Sequence, residues 1–313
     1  MKIRVSMEMF FLRRNWLPAL LLASGLSGFV LHKTAMPRRI ESASHRLSLD
    51  GGPNVPVYYF PGETKRHLMI VSGIHGSEAA GVEVVEQFLQ RLQKEGAPKP
   101  YFSIIVVPVL FSENLASRLR ATPGQPDPNR QMPTVGKDHR FDPRDGCYLD
   151  AHERCMEPEV IFLLNLINHY KPERIASIHG HRNTDTSPSG LLEMMSGGGP
   201  SITTDPRPGF EKKDDALALA MAMYADSLGV RLPANFLRTS RQTTRYPNDT
   251  AIKESDGVSL GQWGSRPTPS RQAINVVTVE TFGYENSGNG RDPWRWKELD
   301  SLAKTLFEVF LKP

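Results

Sequence analysis

Hydrophobic positions along the chain fall into two alternating rhythms. Unbroken apolar runs rich in β-branched residues stand at 68–72, 102–110, 175–179 and 274–280, the pattern of strands buried on both faces. Between them the spacing is helical. Val82, Val85, Phe88 and Leu92 recur every three to four residues over 80–94. Glu157-Pro158-Glu159 opens a second helix that runs to about Tyr170, with proline in the first turn and acids near its positive end. An Ala-rich third helix spans 214–228, and a fourth closes the chain over 298–311 with Leu302, Leu306 and Phe310 on one face. Val57-Tyr58-Tyr59-Phe60 reads as a short approach strand. Strand alternating with helix predicts an α/β fold, a single domain with a mixed, mainly parallel β-sheet flanked by helices on both faces. Residues 121–156, 184–212 and 233–272 are rich in turn formers or lack a period, and read as irregular excursions of a length that commonly carries function. Glu83 and Glu86 read as solvated positions on the first helix.

Composition adds one correction to the charge. Hydrophobic residues make up 39% and charged residues 23% of the 313, which describes an ordinary globular protein. The net charge of +4 is concentrated in the leader: residues 1–39 hold seven basic residues and one acidic, a charge of +6, which leaves −2 for the remainder. The folded part therefore has no nucleic-acid footprint. In the leader, basic residues precede an uncharged stretch from Trp16 to Leu31, rich in Leu, Ala and Gly. Residues 1–39 are thus expected to be a signal peptide or an N-terminal membrane anchor, and 40–313 the one folded domain. The protein is expected to be exported, either periplasmic or membrane-anchored and facing the periplasm. Arg13-Arg14 is compatible with a twin-arginine signal as well as with a plain charged leader. Cys147 and Cys155 lie eight residues apart and are expected to pair in an oxidising compartment.

The chemistry gathers at strand ends. His75-Gly76-Ser77-Glu78 follows the strand at 68–72, His179 ends the strand at 175–179, and Glu280 ends the strand that begins at Ile274. Open α/β sheets bind ligands just outside the carboxyl ends of their strands. Two His and two Glu there suffice for a three-ligand zinc with a spare carboxylate as base. His139, His152 and His169 read as exposed or capping residues, and His181 is the alternative to His179.

Gly73-Ile74-His75-Gly76-Ser77-Glu78, Asp127-Pro128-Asn129-Arg130, Met156-Glu157-Pro158-Glu159, Ser177-Ile178-His179 and Thr278-Val279-Glu280-Thr281 occur in the order seen in zinc carboxypeptidases. Over roughly 55–312 the chain resembles the carboxypeptidase A-like (M14-type) metallopeptidases and their relatives, the succinylglutamate desuccinylase and aspartoacylase group. The resemblance implies one zinc ion held by His75, Glu78 and His179, with Glu280 as general base. It implies that Asn129 and Arg130 bind the substrate carboxylate, and that Arg118, with Arg120 as the alternative, steadies the oxyanion. It also implies a substrate-capping tyrosine ahead of Glu280, for which Trp263 and Tyr246 are the candidates. Ser77 stands where many digestive-type enzymes carry a basic residue, which leans toward the deacylase branch and toward bacterial cell-wall peptidases.

The expected activity is zinc-dependent hydrolysis of an amide bond adjacent to a free carboxylate, by a metallocarboxypeptidase acting on peptides, cell-wall peptides among them. The alternatives are a zinc-dependent deacylase of N-acyl amino acids and, in another class, a non-catalytic zinc-containing peptide-binding protein. The expected partner is accordingly a peptide or N-acyl amino acid with a free carboxylate. No nucleic acid is expected, and membrane contact would come only through the N-terminus.

Overall fold

The computed structural model describes residues 45–46, 53–181, 201–230, 257–282 and 293–313. Seven strands form one sheet: β1 (His45–Arg46), β2 (Tyr58–Phe60), β3 (His67–Ser72), β4 (Ser103–Val107), β7 (Arg174–His181), β8 (Ser201–Asp205) and β9 (Asn275–Phe282). Their order is β1-β2-β4-β3-β7-β9-β8. The four central strands, β4, β3, β7 and β9, run parallel, and β2 and β8 flank them antiparallel. A separate hairpin pairs β5 (Arg140–Asp142) with β6 (Cys147–Leu149). The helices are α1 (Ala79–Leu92), α2 (Ser112–Ser117), α3 (Pro158–Tyr170), α4 (Glu211–Ser227), α5 (Leu260–Gly264) and α6 (Pro293–Thr305), the last continuing as a π-helical turn over Leu306–Phe310.

Strand periodicity divides the core in two. Leu68, Ile70, Ile104, Val106, Ala176, Ile178, Val277 and Val279 point to one face, where they meet Val84, Val85 and Phe88 of α1, Met221 of α4 and Leu302 of α6. Met69, Val71, Ile105, Val107, Ile175 and Val276 point to the other, against Val160, Leu163, Leu164 and Ile167 of α3 and Trp263 of α5. Burial on both faces explains why these strands read as continuous apolar runs rather than alternating ones. Ser177, His179, Thr278 and Glu280 continue the second face, past the end of the apolar core.

The predicted elements are present with their ends moved by a few residues, α6 beginning earlier than its apolar period suggested. Elements also appear inside the stretches expected to be irregular. β8 lies in 184–212; with Ile202 as its one aliphatic residue it shows no strand rhythm, and it pairs along β9 as an antiparallel outer strand. Its Thr204 hydroxyl donates to Asn275 Oδ1 at 2.8 Å and to the Val276 carbonyl, a polar tie that hydrophobic periodicity does not register. The β5–β6 hairpin lies in 121–156, and Cys147 in it is bridged to Cys155, with 5.6 Å between their Cα atoms. Among the described residues no helix is long and apolar enough to cross a membrane; residues 1–39, the expected signal or anchor, lie outside them.

Glu86 departs from its expected solvated state. It is half-buried on α1, and burial, followed by repulsion from Glu83, pushes its carboxyl up to about 7 from the ordinary 4.5. The folded protein thus keeps a proton there that the unfolded chain releases above about pH 4.5. This contribution to stability falls as pH rises from about 4.5 to about 7 and stays flat beyond. Glu86→Gln is expected to raise the urea midpoint at pH 8 and to leave it nearly unchanged at pH 4, with the two curves diverging between those values.

Candidate metal and active site

Three buried side chains from two strand ends meet at one point. His75 is 2% exposed, Glu78 8% and His179 3%, and one donor atom from each lies within 4.8 Å of the other two. His75 to Glu78 form the turn between β3 and α1, and Gly76 allows it. A Cβ on Gly76 would stand 2.0 Å from the backbone carbonyl group of Asn114, so only glycine lets this turn press against α2. His179 arrives on the neighbouring β7.

Both imidazoles turn the same atom inward. His75 Nδ1 lies 2.8 Å from Glu78 Oε1, and His179 Nδ1 lies 2.8 Å from Oε2. Both outer nitrogens are held from behind: His75 Nε2 by Asp127 Oδ1 at 2.8 Å, and His179 Nε2 by the Ser177 hydroxyl at 3.0 Å. Burial by itself would raise the Glu78 carboxyl, but bonds with His179 and then His75 outweigh it and hold Glu78 well below the usual carboxylate range. Asp127 behaves likewise: burial is overcome by the His75 bond and by Arg120. His75 shifts the opposite way, since its two carboxylates outweigh the burial that would lower it.

These donors suit a divalent cation. His75 Nδ1 is fully buried and makes no hydrogen bond, although a carboxylate oxygen lies 2.8 Å away. A neutral ring with its hydrogen on Nε2 would set Nδ1 and Oε1 facing each other as two acceptors, a contact that a second ring proton or a metal ion between them relieves. Bonds of about 2.1 Å at tetrahedral angles require donors about 3.4 Å apart, a value between the 2.8 Å from each imidazole to the carboxylate and the 4.8 Å that bounds the whole group. Two imidazoles and one carboxylate also leave a coordination position open, as catalytic sites do.

Glu280 stands on β9 directly across from His179 in register, where adjacent strands lie about 4.8 Å apart. Of the two candidate arginines, Arg120 bonds two carboxylates of the site. Arg118 caps α2 in a left-handed conformation (φ 53°), is exposed, and engages no carboxylate among the described residues. The chain reverses there, and two residues later Arg120 donates from Nη1 to Glu78 Oε1 at 2.8 Å and from Nε and Nη2 to Asp127 Oδ2. Asn129 and Arg130 lie in a 3-10 turn whose start is capped by Asp127, with Oδ1 accepting from the Asn129 N–H. Asn129 Oδ1 accepts from the Leu260 N–H at the start of α5, so its amide NH2 is left to donate elsewhere. Arg130 is half-buried, its guanidinium donates from Nη1 to the Asn129 carbonyl, and no carboxylate among the described residues pairs with it.

Trp263 is not a capping residue. It is fully buried, its Nε1 donates to the Lys137 carbonyl, and the Arg271 guanidinium lies 3.8 Å from its ring centre. Tyr246 and the side chain of His181 lie outside the described residues. The sequence by itself assigns no role to Asp127 or Ser177. Asp127 sat in a motif already noted, and Ser177 shares a strand face with His179, but only tertiary structure puts each behind an imidazole.

No family model matches the chain, and no curated protein matches it in sequence. Solved structures do share its fold. A provisionally named carboxypeptidase from Burkholderia mallei matches with a TM-score of 0.51 at 15% identity, over 86% of this chain and 64% of that one. A metallo-carboxypeptidase from Pseudomonas aeruginosa, in complex with (2-guanidinoethylmercapto)succinic acid, matches at 0.49 and 15%, over 87% and 66%. Murein-tripeptide amidase from Escherichia coli O157 matches at 0.46 and 18%, over 80% and 86%. The first of these likenesses shows a carboxypeptidase-like fold.

Because Asp127 fixes the hydrogen of His75 on Nε2, Asp127→Asn is expected to weaken divalent-metal binding about 10- to 100-fold with the fold retained. Chelator competition alongside circular dichroism measures both.

Proposed function

We propose that this protein is a zinc-dependent hydrolase that cleaves the amide bond next to a free carboxylate, acting on peptides as a carboxypeptidase. The observation that carries the proposal is the convergence of His75 Nδ1, His179 Nδ1 and the Glu78 carboxylate at neighbouring strand ends, with Glu280 in register beside His179. His75, Glu78 and His179 would hold the ion. Bound zinc would supply Lewis acidity to the scissile carbonyl and acidify the attacking water.

The chain's own residues do the rest. Arg130 and the amide NH2 of Asn129 bind the substrate's terminal carboxylate, a planar guanidinium matching it with two parallel bonds. This fixes the scissile bond in place before reaction, which lowers the barrier through orientation. Glu280 accepts a proton as water attacks the carbonyl carbon and returns it to the amine nitrogen as the C–N bond breaks. Arg120, half-exposed at the mouth of the site, opposes the negative charge that develops on the carbonyl oxygen. The basic, apolar leader and the Cys147–Cys155 bridge support an exported protein, for which cell-wall peptides are an accessible substrate class.

Digestion of a pool of peptides, murein peptides with D-residues and N-acyl amino acids, read by mass spectrometry, tests the proposal. Loss of single C-terminal residues is expected, abolished by a chelator and reduced at least about 1,000-fold in Glu280→Gln with metal content unchanged. Turnover of N-acyl amino acids alone would replace the peptidase reading with a deacylase, and metal binding without any turnover would replace it with a binding protein.

A further inference from the structure

A neutral imidazole carries one ring hydrogen, so a ring that gives Nδ1 to a metal must keep its hydrogen on Nε2. The two site histidines present Nδ1 alike, yet the groups behind them differ in kind. Behind His75 is Asp127, whose Oδ1 lies 2.8 Å from Nε2; a carboxylate there accepts and does not donate, so it supports Nε2–H. Behind His179 is Ser177 Oγ, and a hydroxyl serves in either sense. Ser177 and His179 are two residues apart on β7, so their side chains share a face, and both are 97% buried or more. The contact is therefore built into the strand.

We infer that Ser177 is a positioning residue for His179 whose hydrogen bond reverses when the site takes up its metal. The inference rests on the metal-centre reading above and concerns this chain's residues alone. His179 Nδ1 lies 2.8 Å from Glu78 Oε2 and Nε2 lies 3.0 Å from Ser177 Oγ; in the metal-free protein the carboxylate would take the ring hydrogen of Nδ1 and the hydroxyl would donate to Nε2. Once Nδ1 is committed to the ion, the ring hydrogen stands on Nε2 and Ser177 accepts it after rotation about its Cβ–Oγ bond. The ring gives up one hydrogen to solvent at Nδ1 and takes one from solvent at Nε2, so its count is unchanged. A carboxylate at position 177 would support only one tautomer, as at His75, and a methyl group would support neither. His75 is thus held ready for the metal, whereas His179 is converted as the metal binds.

The test compares zinc affinity of wild type, Ser177→Ala and Ser177→Thr by chelator competition, and reads the His179 tautomer of the wild type from 15N-histidine spectra with and without Zn2+. Ser177→Ala is expected to bind about 10- to 100-fold more weakly, with Ser177→Thr restoring affinity through its hydroxyl. The wild-type spectrum should show the His179 hydrogen on Nδ1 without zinc and on Nε2 with it, a change that a merely structural serine would not produce. Unaltered affinity in Ser177→Ala, or Nε2–H in both wild-type spectra, overturns the role of Ser177 and leaves the metal centre standing. Failure of the wild type to bind Zn2+ at all overturns both. The spectra need no variant, so a poorly folding Thr substitution leaves the test intact.

Discussion

The buried carboxylate of Glu78 is the constraint on which the site depends. An ionised carboxylate this deep is costly unless cations or strong donors surround it. Here it is met from three sides, by His75, His179 and Arg120, which come from the β3–α1 turn, the end of β7 and the segment after α2. Each of those segments is thereby drawn to one point. The same crowding leaves His75 Nδ1 buried without a hydrogen bond beside a carboxylate oxygen, an arrangement that favours a cation. Stability of the turn and readiness for metal therefore arise from one set of contacts.

The parallel sheet supplies the precision. Because β3, β7 and β9 run in the same direction and in register, their carboxyl ends come level, and residues that end their respective strands become neighbours. Rigid strands then place His179 and Glu280 side by side with no need for a specialised loop. Behind the second sheet face, α3 and α5 exclude water from beneath the site, and the apolar core stops where Ser177, His179 and Glu280 begin.

The segments at the mouth of the site are tied into it as well. Asp127 caps the turn that carries Asn129 and Arg130, holds His75 and binds Arg120, so one carboxylate joins the three-residue cluster to that turn. Asn129 in turn caps α5, and Gly257 passes so close to the Arg130 carbonyl that a Cβ there would stand 2.1 Å from its oxygen. The strand leading to Glu280 and the turn carrying Arg130 are thus braced through α5.

From sequence alone, the α/β architecture, the parallel strands, the main helices and the gathering of His75, Glu78, His179 and Glu280 at strand ends could be read. These follow from local rules: burial on both faces makes a strand uniformly apolar, and chemistry in such sheets lies just past the strand ends. What tertiary structure decided was every relation between distant segments. It brought Arg120 onto Glu78 and Asp127. It assigned Trp263 to the core and put Asp127 and Ser177 behind the two imidazoles. It also formed β8 from a polar segment, because an outer strand is stabilised by pairing with β9 more than by its own apolar residues. A linear pattern records which residues repeat and which are apolar. It does not record which side chains, 50 or 100 positions apart, come within hydrogen-bond distance once the sheet has closed.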